Sequence, residues 1–421
     1  MKLISKTIII LVFVLIANIA NAAYLLIPMD DTQKNHLKAY GIAYMTLQNK
    51  IEVQWLLNYK GGSFMIPYYK DIETECIIRG VSFKVIADVQ ASAILSEISQ
   101  AEINMDVVKL ENAPTIAVYS PKGKQPWDDA VTLTLTYAEI PYDILYDEEM
   151  IVQGLEGYDW LHLHHEDFTG QYGKFYASFH HMAWYQEEVR RNEEMAAKLG
   201  FSKVSDLKLA VAKVIREYVF GGGFLFAMCS ATDSYDISLA AANVDICGKM
   251  FDGDAADPDA QTKLNYDNCF AFKNFKLVRD PYRYEFSSID ATEKRKVSQN
   301  NDYFSLFDFS AKWDPIPTML CQNHTSLIKG FMGQTTSFHK EYIKSNVLVM
   351  GENKSANEAK YIHGEFGKGT WTFYAGHDPE DYRHRVGDPP TELNLHPNSP
   401  GYRLILNNIL FPAAKKKKLK T

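Results

Sequence analysis

Short apolar runs that end at glycine, proline or asparagine alternate along this chain with longer stretches whose apolar residues fall three or four positions apart. That is the signature of strands interleaved with helices. Leu25-Leu26-Ile27-Pro28, Ile51 to Leu57 and Phe64-Met65-Ile66 predict strands, with helical spacing from His36 to Leu47 and from Ser92 to Ile98. Residues 23–112 therefore read as a small N-terminal α/β domain. From Pro114 the alternation is more regular. The strand Thr115 to Tyr119 precedes helical spacing from Trp127 to Ala138, and strands follow at Tyr142 to Tyr146 and Tyr158 to His164. A helical insertion covers Trp184 to Leu199. A further helix, capped by Ser205, carries Leu207, Val211, Val214, Ile215 and Tyr218 on one face and leads into the strand Phe224 to Met228. Alternation of this kind predicts a parallel sheet wound on both faces. Its sites lie outside the carboxyl ends of the strands. This second domain spans 113–412, with insertions at about 170–200 and 250–360, and a basic tail at 413–421. Near its end, Tyr361 to Gly376 reads as a hairpin turning at Gly367-Lys368-Gly369, and Gly401 to Leu410 as a closing helix.

The first 22 residues follow a different pattern. Lys2 and Lys6 precede an apolar run from Ile8 to Ile16, and Ala20-Asn21-Ala22 offers a small-x-small cleavage site before Ala23. This predicts a secretory signal peptide over 1–22 and an exported, periplasmic or extracellular protein. The apolar run is too short to span a membrane. No second one follows, so a mature chain without a transmembrane segment is expected. The formal net charge is −8, which disfavours nucleic acid as a partner. The run Lys415 to Lys418 reads as a solvated end. Five cysteines are present: Cys76, Cys229, Cys247, Cys269 and Cys321. An odd number leaves at least one thiol free, and Cys229 is the candidate. Asp252, Asp254, Asp257 and Asp259 form an acidic stretch whose spacing does not fit an EF-hand loop, so a solvated loop is expected there.

Cys229 stands out because of its neighbours. Gly221-Gly222-Gly223-Phe224-Leu225-Phe226-Ala227-Met228 is an apolar strand that stops at the thiol, with alanines two residues before and after it. Ser230, Thr232 and Asp233 are cap-type residues for a following helix. A nucleophile at the apex of a tight strand-to-helix turn needs such small flanks, because the backbone doubles back on itself there.

The order of elements, with the Ala227-Met228-Cys229-Ser230-Ala231 elbow and the late His377-Asp378-Pro379-Glu380, resembles the class I glutamine amidotransferase-like superfamily. The stretch from Gly369 to His377 and the helix through Tyr402 to Asn407 look most like its trehalose-utilisation branch. The resemblance implies a doubly wound, flavodoxin-like parallel sheet and a cysteine-dependent amidohydrolase. Cys229 would be the nucleophile, His377 the base and later acid, and Glu380 or Asp378 the residue orienting the imidazole. Oxyanion donors would be the Ser230 N–H and a group in the loop after His164, with Gly170 a candidate. His164, His165 and Glu166 would line the substrate site. Two positions depart from the family pattern: alanines replace the elbow glycines, and one residue separates His377 from Pro379.

The whole chain also resembles a bacterial envelope family commonly labelled asparagine synthetase B. The residues oppose that chemistry. Position 2 is Lys2 where such enzymes carry a cysteine, and Ser230-Ala231-Thr232-Asp233-Ser234 lacks the glycines of an ATP loop.

Two further readings concern the same crevice. His162 and His164 share one strand face, as metal ligands would, with His181 or Glu166 as a third. The simpler reading is a polar strand end with His180 and His181 in a helix, and no metal or other cofactor is expected. The aromatics Trp160, Phe168, Tyr172, Phe175 and Tyr176 would also suit a non-catalytic carbohydrate- or peptide-binding protein. The substrate is otherwise open: a small molecule, carbohydrate or peptide.

Overall fold

The computed structural model describes residues 23–122 and 125–414. The expected signal peptide and the Lys415 to Lys418 run lie outside the described residues.

The first unit is a five-stranded antiparallel sheet. Its strands are β1 (Ala23–Ile27), β2 (Val53–Leu57), β3 (Ser63–Pro67), β4 (Lys84–Ala87) and β5 (Asp106–Leu110), in the order β4-β1-β3-β2-β5. The expected strands and the helix near His36 are all present, the helix running His36–Gln48. The edge strand β4 was not legible, since only one of its four residues is buried.

The second sheet has ten strands: β6 (Ile116–Tyr119), β7 (Asp143–Leu145), β8 (Trp160–Leu163), β9 (Phe224–Met228), β10 (Tyr303–Leu306), β11 (Leu327–Lys329), β12 (Phe338–His339), β13 (Leu348–Asn353), β14 (Glu358–Phe366) and β15 (Gly369–Tyr374). Along it the order is β11-β10-β13-β14-β15-β9-β8-β6-β7, with β12 paired to β14. The pairs β7/β6, β6/β8, β8/β9 and β9/β15 are parallel. Everything beyond β15 is antiparallel. The sheet is therefore mixed. The segment read as a loop-rich insertion supplies a ribbon that widens the parallel half.

Side chains of the parallel strands alternate between two cores, as the two-residue strand period dictates. Ile116 and Val118 of β6, with Phe224, Phe226 and Met228 of β9, face the helices Ala130–Ala138 and Pro400–Leu410. Ala117, Tyr119, Leu225 and Ala227 face the helices Asp147–Val152, Val204–Gly221 and Ala231–Ala240.

The helix His36–Gln48 packs on both Ala130–Ala138 and Pro400–Leu410, joining the two units in one continuous apolar core. The approach is close: a β-carbon on Gly41 would come within 2.0 Å of the Ala138 carbonyl oxygen. Buried Arg403 ties the units further. It donates to the Met29 carbonyl at 2.8 Å, to the Tyr40 hydroxyl at 3.1 Å and to the Gly61 carbonyl. Among the described residues no helix is long and apolar enough to cross a membrane.

Candidate active site

β9 is buried at all five positions, as a central strand covered on both faces must be. It ends at Met228, and Cys229 turns the chain with φ of +50° before the helix Ala231–Ala240 begins. A left-handed conformation at a residue other than glycine costs about 1–3 kcal/mol and persists only where the surroundings enforce it. Those surroundings are specific. The Ala231 N–H donates to the His164 carbonyl at 3.0 Å, and the Thr232 hydroxyl donates to the Cys229 carbonyl at 2.6 Å. Ser230, expected to cap through its side chain, makes no such bond. The stretch Ser230 to Ser234, which lacks the glycines of an ATP loop, is fully buried.

β8 ends beside the elbow, and its histidines divide their labour. Both ring nitrogens of His162 are engaged, Nδ1 with the Phe226 carbonyl at 3.2 Å and Nε2 with Asp129 at 3.1 Å. His162 is thus an anchor: it, His164 and Asp129 each offer a ligand atom within 4.8 Å of the others, but both His162 nitrogens are already engaged. His164 has its Nδ1 3.4 Å from Asp129 and its Nε2 3.1 Å from Nδ1 of His377. His181 packs against His180, outside the histidine groupings around His164. Asp129 also caps the following helix by accepting the N–H groups of Val131 and Thr132. Burial opposes its charge, yet His162 and His164 hold its carboxyl well below the usual range.

His377 follows β15. Its N–H donates to the Met332 carbonyl at 2.9 Å, and the turn before it is tightly covered. A β-carbon on Gly333 would lie 2.7 Å from the His377 nitrogen. The Cys229 thiol interacts with the His377 ring. Burial and His164 work against protonation of that ring, but Asp128 and Cys229 together hold its pKa above the ordinary value.

The carboxylate facing His377 is Asp128, 3.9 Å from Nε2. The two acids expected from the sequence do other work. Asp378 accepts the N–H groups of Glu380 and Asp381 and shapes the turn. Glu380 pairs with His396 at 3.2 Å. Asp128 also pairs with His384 at 2.7 Å, whose other nitrogen is 3.0 Å from Asp381. These bonds raise the His384 pKa to about 9, so the ring is cationic at neutral pH. It stacks on His377 with centroids 4.7 Å apart.

Glu166 accepts the His164 N–H at 2.9 Å through one oxygen, and burial pushes its pKa up to about 8. It lines a crevice with Gln125, Trp127, His165, Gly170 and Phe175. Gly170, with φ of +80°, lies against the Ser205 backbone. Of the expected aromatic platform, Trp160 and Phe168 are fully buried core residues. Tyr172 and Phe175 do line the crevice, where Trp127 stacks on Phe175 and Trp184 stands edge-on to both.

The functional neighbours missed in the sequence are Asp128, Asp129, His384 and Lys360. The two aspartates had a usable signal, since they stand at a helix N-cap just after a strand's carboxyl end. Lys360 had none. It is buried on β14, donates to the Phe331 and Thr336 carbonyls, and burial lowers its pKa to about 7. All five cysteines are unpaired. Burial pushes the Cys76 thiol up to about 12 and raises Cys247 and Cys269 well above the usual range.

No protein-family model and no curated protein matches this chain. Among solved structures, it is similar to a cytoplasmic protein of Salmonella typhimurium, at 11% identity, covering 72% of this chain and 100% of that one, with a TM-score of 0.35. A second cytoplasmic protein, from Salmonella typhimurium LT2, matches with the same identity and coverage and a TM-score of 0.36. A catalytic mutant of a GH42 beta-galactosidase from G. stearothermophilus matches at 12% identity and a TM-score of 0.26, over 63% of this chain and 28% of the galactosidase. Likenesses at these scores assign neither an activity nor a family.

Proposed function

We propose that this chain is an exported Cys–His hydrolase of amide or related acyl bonds, built like the class I glutamine amidotransferase-like proteins. The carrying observation is Cys229, held left-handed at the carboxyl end of β9, with its thiol among the groups that hold the His377 pKa up. The flavodoxin-like reading of the parallel half is supported by its order. Numbered as the chain visits them, β7-β6-β8-β9-β15 run 2-1-3-4-5, with helices on both faces. Export is supported by the pattern of residues 2–22.

In this reading His377 takes the thiol proton as the Cys229 sulfur attacks the carbonyl carbon. The Ser230 N–H faces the developing oxyanion, since the Ala231 N–H is engaged by His164. Collapse breaks the bond to the leaving amine or alcohol, which takes the proton from His377. Water, deprotonated by His377, then cleaves the thioester and restores the thiol. Asp128 stabilises the imidazolium formed at each stage.

A specific observation favours a second reading. The Trp127, Phe175 and Trp184 cluster beside the crevice is a surface for a sugar or peptide, held without chemistry. One experiment separates the two. The chain is incubated with a panel of amides and esters of amino acids, peptides and amino sugars. Turnover by the wild type, lost at least about 10³-fold in Cys229→Ser with the fold intact, supports the hydrolase. Binding of a panel member without turnover, and equal in Cys229→Ser, establishes the binding protein instead.

A further inference from the structure

We propose that His164, His165 and His377 together bind one divalent transition-metal ion of the zinc class, with Asp129 and Asp128 standing behind two of the rings. The three imidazoles each offer a nitrogen within 4.8 Å of the others. The His164 and His377 nitrogens face each other at 3.1 Å. Two nitrogens on a tetrahedral zinc, each about 2.0–2.1 Å from the ion, would be about 3.3 Å apart.

The outer contacts match as well. A metal-bound histidine characteristically turns its other nitrogen to a carboxylate, which fixes its orientation and raises its basicity. His164 has Asp129 at 3.4 Å from Nδ1, and His377 has Asp128 at 3.9 Å from Nε2. A hydrogen bond would account for the His164 to His377 contact alone. It would not account for His165, both of whose ring nitrogens are buried without a hydrogen-bond partner. Glu166 Oε1 is likewise buried and unpartnered, 4.0 Å from His165 Nε2. Buried polar atoms left this way cost free energy unless a ligand completes them.

His162 takes no part, because both its nitrogens are engaged. Three protein ligands leave a fourth position, and the crevice reaches one of the three ligands, His165, beside Trp127. Three ligands with one open position is the arrangement of a reactive zinc site rather than a closed structural one. The ion would polarise a carbonyl or activate a water there. A metal on His377 withdraws that ring from its role as base to Cys229, so this site belongs to the metal-loaded chain and the thiol chemistry to the metal-free one.

The test uses the full chain, stripped with chelator, dialysed and titrated with Co²⁺ and with Zn²⁺. One equivalent of Co²⁺ is expected to give the visible bands of tetrahedral coordination, displaced by Zn²⁺. X-ray absorption of the zinc-loaded protein should show imidazole nitrogens at about 2.0–2.1 Å. His165→Gln should weaken Zn²⁺ binding by about 100-fold or more, and Asp129→Asn by about 10–100-fold. His181→Gln should leave it unchanged. Absence of the Co²⁺ bands, a metal shell without imidazole, or equal affinity in folded His165→Gln would overturn the site. If circular dichroism shows His165→Gln unfolded, the two wild-type spectra decide.

Discussion

In Asp128→Asn, turnover through Cys229 is expected to fall by about 10²–10⁴-fold with substrate affinity little changed, the range seen when an acid behind a catalytic histidine is neutralised. The substitution keeps the side chain's shape and removes its charge. His384 retains Asp381 at 3.0 Å, so the stacked ring beside His377 stays held. What is lost is the carboxylate 3.9 Å from His377 Nε2, one of the groups that raise that ring's pKa against burial and His164. The sign follows. Without Asp128 the imidazolium is less favoured, so the pH limb set by His377 should move down while the maximum rate drops. Rate against pH for wild type and variant checks this. An unshifted limb with unchanged maximum would show that Asp128 serves only His384, whose pKa of about 9 depends first on its bond to Asp128. Substituting Asp378 or Glu380 should do far less, because neither carboxylate faces His377.

Apart from the edge strand β7, with two of its three residues exposed, the strands of the parallel half were legible because they are largely buried on both faces. Phe224 to Met228 and Ile116 to Tyr119 are buried at every position. The hairpin turning at Gly367 was legible for a related reason, with long strands meeting at a short glycine turn. The antiparallel extension was not. β10 and β11 have four and three residues with one buried position each, and β12 has two residues. A period of two cannot be read from so few positions. Their register is set by pairing of β11 with β10, β10 with β13 and β12 with β14, which no local pattern encodes.

Of the site, the elbow was legible because backbone geometry restricts composition: only small residues flank a turn this tight. The histidines after Leu161 were legible as a group, but not their allocation. Whether His162 or His165 has free nitrogens depends on the Phe226 carbonyl of the neighbouring strand and on Asp129 of a distant loop. The same holds for the acid partner. His377-Asp378-Pro379-Glu380 places two carboxylates beside the histidine in sequence. The turn consumes Asp378 on backbone N–H groups, and His396 takes Glu380. Asp128 reaches His377 only because β6 and β15 deliver their carboxyl ends to the same edge of the sheet.

Replacing Lys208 by alanine should destabilise the chain by about 3–5 kcal/mol, because it strands a buried carboxylate. Lys208, on the helix Val204–Gly221, donates to both oxygens of Asp147 at 2.9 and 2.8 Å, and to the hydroxyls of Tyr119 and Tyr146 at 3.0 and 3.1 Å. Asp147 is fully buried and Lys208 nearly so. Burial opposes the ammonium, but Asp147 and Tyr146 hold its pKa above the ordinary lysine value. A raised cation pKa contributes stability that is fully present below the unfolded value and is lost only as pH rises through the folded one. The deficit should therefore be constant across neutral pH and narrow only in strongly alkaline solution. Urea titration at several pH values measures it as a lower midpoint with unchanged slope. The double variant Lys208→Met with Asp147→Leu should recover most of the loss, since no charge is then stranded. The same lysine lines the crevice and is among the groups that restrain the rise in the Glu166 pKa. Both variants should therefore move Glu166 further up even where stability is restored, which separates the contribution of Lys208 to the site from its contribution to the fold.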